Sequence, residues 1–164
     1  MSLVETITQY LDKIKWKYHL ENEQQIKFGV KLDKIKLDCL FDVQQENNIV
    51  LFYSVFPIMV DYNLRNTISE YITRANFGLK IGNLEMDFKD GEIRYKTYAN
   101  TDFNCFNEAI VRHILHANIQ TFDRYIQGIV KILFANYTAE EAIHLVEQLI
   151  DVNDIDISEL KNLL

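Results

Sequence analysis

The sequence predicts an α+β domain, an antiparallel sheet with helices packed on it. Three observations carry this. Apolar and polar residues alternate from Ile26 to Leu32 and, after a shift of parity, from Ile35 to Val43, the period of half-buried strands. Asp90-Gly91 is a two-residue turn signal of the kind that joins antiparallel neighbours. Apolar residues recur at three- and four-residue steps near both ends of the chain, the spacing of amphipathic helices.

The first helix is expected over 3–14, where Leu3, Ile7, Leu11 and Ile14 share a face and Ser2 is the N-cap. A strand-like piece follows, with Trp16, Tyr18 and Leu20 alternating with Lys15, Lys17 and His19. Ile26, Phe28, Val30 and Leu32 then form the clearest strand. Parity shifts by one residue across Asp33-Lys34, which predicts a tight turn or bulge, and Ile35, Leu37, Cys39, Phe41 and Val43 continue on the other side. Glu46-Asn47-Asn48 is a turn. The strand from Ile49 to Phe56 is apolar on both faces, so it is either central and covered on both sides or has one face reserved for a partner. Pro57 ends it.

A second helix is expected over 63–76, with Leu64, Ile68, Tyr71, Ile72 and Ala75 on one face and Asn76 and Gly78 at its end. The hairpin 84–97, closed by Asp90-Gly91, would set Phe88 opposite Ile93, Met86 opposite Tyr95 and Leu84 opposite Thr97. Its outward pairs would be Lys89 with Glu92, Asp87 with Arg94 and Glu85 with Lys96, all of opposite charge. Helical periodicity runs over 104–136 through Phe106, Ile110, Ile114, Phe122, Ile126, Ile129 and Leu133, with a kink expected between Asn118 and Thr121. Thr138 and Glu141 form a capping box for a last helix reaching about Ile150, with Ala142, Leu145, Val146 and Leu149 on its apolar face.

The chain has 164 residues, 48% hydrophobic and 25% charged, a size and balance that suit one globular domain. Residues 138–164 hold seven acids against Lys161 alone, −6 of a net charge of −7. The natural division is a core domain over 1–137 and an acidic helical extension over 138–164. An acidic balance argues against nucleic-acid binding, which draws on Lys and Arg. Two cysteines, Cys39 and Cys105, make neither a metal spacing nor a disulfide framework. No signal peptide or membrane-spanning run is read, so the expected compartment is the cytoplasm.

Glycine-rich phosphate loops, nucleophile elbows and zinc-helix motifs are missing from the sequence, so no catalytic residue and no cofactor is expected. His113 and His116 stand at i, i+3 and could share a metal, but a third ligand is not nominated. Asp87, Asp90 and Glu92 read as hairpin residues rather than an acid/base cluster. Lys13 to His19 interleaves bases with aromatics, as some single-strand binders do, but a helix end and strand with Lys on the solvent side is the better reading, because the wider charge is acidic.

Short motifs bear a resemblance. Tyr53-Ser54 with Pro57 closing the strand, a helix reaching Asn76, then Leu79, Ile81-Gly82, Leu84, Asp87, Gly91, Ile93-Arg94-Tyr95 and finally Asp123-Arg124-Tyr125 resemble the bacterial YbjN-like family over about 3–135. That family's fold is similar to the type III secretion chaperones. The resemblance implies an α/β sandwich, a homodimer, and a role in binding proteins or regulating signalling, and it supplies no catalytic residues. The function expected is therefore a non-enzymatic, protein-binding adaptor of chaperone-like or regulatory kind. A small-molecule or metal-binding regulator is the alternative. The expected protein-binding residues are Leu51, Phe52, Tyr53, Val55 and Phe56, on the strand apolar on both faces; no nucleic acid and no membrane is expected as partner.

Overall fold

A computed structural model describes residues 2–33, 35–102 and 106–153. The order is α1 (Leu3–Lys13), β1 (His19–Leu20), β2 (Gln25–Lys31), β3 (Lys36–Gln44), β4 (Ile49–Val55), α2 (Arg65–Gly78), β5 (Asn83–Met86), β6 (Ile93–Asn100), α3 (Glu108–Ala135) and α4 (Ala139–Asn153). The strands make one antiparallel sheet in the order β1-β2-β3-β4-β6-β5.

Ser2 caps α1 with a full capping box through Glu5. The strand expected over 16–20 shrinks to two residues, because Trp16 turns inward against the Phe28 ring at 5.8 Å. At the parity shift after β2, the Leu32 N–H donates to the Ile35 carbonyl at 2.8 Å. β2 and β3 then pair in the register that sets Phe28 beside Cys39 and Ile26 beside Phe41.

The core lies on one side of the sheet. Val30, Leu37, Phe41, Phe52, Leu84, Ile93 and Tyr95 point into it and meet α1, α2 and α3. The Phe41 and Phe52 rings lie 4.4 Å apart, and Phe28 stacks on Phe52 at 5.9 Å. Burying such side chains contributes about 1.5–3 kcal/mol each.

Three expectations change. The helix α3 runs unbroken through Asn118, with no kink among 118–121. Asn118 is instead fully buried: its amide donates to the Phe52 and Tyr95 carbonyls and to Thr97 Oγ1, and its oxygen accepts from Ser54 at 2.6 Å. The hairpin pairs two residues out of the expected register, with Met86 opposite Ile93, Leu84 opposite Tyr95 and Glu85 opposite Arg94. Its loop is longer because only Gly91 has a positive φ, at 85°, whereas a two-residue type I′ turn needs positive φ at both positions. Asn76 does not end α2, which continues to Gly78. Its side chain pairs instead with the backbone of Leu84, accepting its N–H at 2.9 Å and donating to its carbonyl at 3.0 Å.

The last helix begins at the predicted capping box, with the Glu141 N–H on Thr138 Oγ1 at 3.2 Å and the Thr138 N–H on the Glu141 carboxylate at 2.9 Å. Ala139, Ala142, Ile143 and Val146 join the same core, and α4 packs on α3 and α2. Leu149's side chain, Lys34, Cys105 and the acids from Asp154 onward lie outside what is described.

Candidate partner-binding face

Successive residues of a strand point to opposite faces, so β4 divides cleanly. Val50, Phe52 and Ser54 are buried under the helices, while Ile49, Leu51, Tyr53 and Val55 are only half-buried. The same parity in β3 and β6 turns Leu40 and Tyr98 outward. Tyr98 is 60% exposed. Rows across this outer face run Lys27, Leu40, Tyr53, Lys96 and Asn83; then Gly29, Asp38, Val55, Arg94 and Glu85; then Gln25, Asp42, Leu51 and Tyr98. An apolar centre is thus framed by charges on both flanks.

One flank is tightly organised. The Arg94 guanidinium lies 4.5 Å from the Tyr53 ring centroid, a cation–π contact. Glu85 accepts from Arg94 Nε at 2.8 Å and from Lys96. Burial raises the Glu85 pKa, but hydrogen bonds from Lys96, Asn83 and Arg94 outweigh it and hold the carboxyl below its ordinary 4.5. The other flank is a pocket of about 540 Å³, with Lys17, Tyr18, His19, Lys27 and Lys36 around a floor of Leu40 and Val55.

The structure splits the predicted binding set. Leu51, Tyr53 and Val55 lie on the open face. Phe52 and Phe56 are a correction: both are 0% exposed and belong to the core, since β4 parity and the turn at Pro57 send them under the helices. His116 shares a hydrogen bond with Tyr10 at 2.8 Å, and no group of three or more metal-ligating side chains forms among the described residues. Asp87 and Asp90 accept the N–H groups of Lys89 and Glu92 and act as turn residues. Cys39 is buried, and desolvation pushes its thiol up to about 12, which leaves it protonated and a poor nucleophile at neutral pH.

Sequence reasoning missed a second apolar feature. Ile58, Met59, Tyr62 and Phe88 are exposed on the loops at one end of the sheet. Arg65 ties those loops together, donating to the Val60 carbonyl at 3.0 Å and the Phe88 carbonyl at 2.6 Å. Ile58-Met59 directly after Pro57 was the available signal: two large apolar residues in a loop with no helical or strand period.

With the sheet order and its single covered face in view, a likeness to known proteins is informative. The chain is similar to the crystal structure of YbjN, a candidate transcription regulator from E. coli, with a TM-score of 0.56 and 13% identity over 73% of this chain and 84% of that one. The fold is YbjN-like. At this identity the likeness is one of architecture, so the YbjN-like frame fixes where strands and helices lie and not which side chains act. No protein-family model and no curated protein matches the sequence. Among the described residues of this YbjN-like fold, no helix is long and apolar enough to cross a membrane.

Proposed function

We propose that this chain is a non-enzymatic protein-binding module of adaptor, chaperone-like or regulatory kind, acting in the cytoplasm through its open sheet face. One observation carries the reading. The outward residues of β4 are apolar, yet they stay half-exposed at the centre of a six-stranded sheet. A central strand with a solvated outer face needs no Leu, Tyr and Val there; a surface that takes a partner does. The description of YbjN as a candidate transcription regulator favours a regulatory role. The net charge of −7 favours protein contact over nucleic acid as its route.

The test is capture of a partner from the native lysate by the intact protein and by Leu51→Asp/Val55→Asp. Recovery of one partner near equal stoichiometry by the parent chain, lost in a variant with unchanged Tm, is the expected outcome. Equal recovery by both would remove the sheet face from the function. A second copy of the chain is one candidate partner, and sedimentation of the two proteins distinguishes it.

A further inference from the structure

The two edges of the sheet are treated differently. At β5 the edge is stoppered, because the Asn76 side chain occupies the N–H and carbonyl of Leu84 as a neighbouring strand would. At the other end β1 covers only part of β2. His19 pairs with Lys27 and Leu20 with Ile26, and the Glu21 N–H reaches the Gln25 carbonyl. Antiparallel ladders alternate, so the odd residues of β2 direct their N–H and C=O groups toward β1, and the even ones toward β3. β1 begins at His19. The backbone groups of Gly29 and Lys31 therefore face an edge position that no strand among the described residues fills.

The side chains around this gap are predominantly cationic, although Asp38 is also in the pocket lining. Lys17, Lys27 and Lys36 line the pocket beside it with His19, and Lys31 follows on the same strand. Glu21 engages Lys27 at 3.3 Å and His19 at 3.4 Å. Lys17, Lys31 and Lys36 have no carboxylate within ion-pair distance among the described residues. Gly29 is part of the arrangement. A Cβ there would meet Lys36 Cε at 2.6 Å, so its absence lets the Lys36 stem cross the strand toward the edge. Glycine inside a strand weakens it and marks places where another backbone approaches.

We propose that the free half of the β2 edge receives an acidic, extended segment of a partner protein. It would pair with Gly29 and Lys31 and set its carboxylates among Lys17, Lys31 and Lys36. Lysines on an edge also deter self-association. Two copies paired about Gly29 would set Lys27 of one against Lys31 of the other, which disfavours a second copy and favours an acidic strand. This inference rests on the protein-binding reading and names the partner's chemistry on one flank of that face.

The probe is a labelled peptide alternating Asp with Ile, titrated against the full chain by fluorescence anisotropy, with hydrogen exchange read at Gly29 and Lys31. Binding should weaken by roughly tenfold or more in Lys17→Glu/Lys36→Glu. It should be lost for a peptide N-methylated on its edge-facing residues, and exchange at Gly29 and Lys31 should slow by about tenfold on binding. Unaltered binding by the charge-reversed variant, protection elsewhere, or no binding at millimolar peptide would overturn the proposal. Protection at Gly29 and Lys31 that grows with protein concentration alone would assign the edge to a second copy and overturn it as well. If the peptide fails while Leu51→Asp/Val55→Asp still abolishes partner capture, the edge proposal falls and the protein-binding reading stands.

Discussion

Asn118 shows how much one polar side chain can organise. It sits on α3 and bonds to the β4 residues Phe52 and Ser54 and the β6 residues Tyr95 and Thr97. Buried polar groups are costly to leave unmatched, about 1–3 kcal/mol each. Asn118→Ala should therefore lower unfolding free energy by about 3 kcal/mol, since Ser54 loses its acceptor and a cavity opens, and urea denaturation would record it. The sequence contained the clue: Ile114, Asn118, Phe122 and Ile126 form one i, i+4 stripe, with the only polar member facing inward. Glu85 makes a different statement. Its pKa is lowered on folding, so its contribution is complete above the unfolded value and drains away as pH falls through the folded one. Glu85→Gln should flatten that acid limb in a series of thermal melts below about pH 5, with a loss at neutral pH of about 1 kcal/mol for a pair partly open to solvent.

At the level of elements, local chemistry was read well and long-range chemistry poorly. The capping boxes at Ser2 and Thr138 and the β2–β3 turn depend on residues three or four apart, and the sequence displays them. The β5–β6 register depends on Val60. Its N–H donates to the Gly91 carbonyl at 2.9 Å, and a Cβ on Gly91 would meet its carbonyl oxygen at 2.3 Å. That contact holds the loop open over Asp87–Glu92 and moves the register by two, which keeps the paired residues of β5 and β6 on their expected faces while Phe88 leaves the sheet for the exposed loop. Gly91→Ala should cost about 3 kcal/mol, from positive φ together with the clash, and a fall in Tm would show it. Gly78→Ala is the matched control. Nothing lies within 4 Å of its Cβ position, so a change within about 1 kcal/mol, if anything stabilising, is expected in the same melts.

At the scale of the whole fold, helices cover one face of the sheet, and among the described residues no helix covers the other. The sequence revealed that β4 is apolar on both sides but not which side the helices would take, because that depends on where α1 and α3 dock. Phe52→Ala should cost about 3–5 kcal/mol, the penalty for a vacated aromatic core site. Leu51→Asp/Val55→Asp should leave Tm within a few degrees of the parent, and calorimetry on both would establish the division. Two interleaved sets of residues then answer to separate demands. One set must keep its volumes to preserve the architecture, while the set beside it can be rewritten freely. A lineage could exchange one partner for another through even a handful of outward substitutions without passing through an unfolded intermediate. Such a scaffold drifts quickly in sequence while holding its shape, and two of its descendants can end up sharing a sheet and little else.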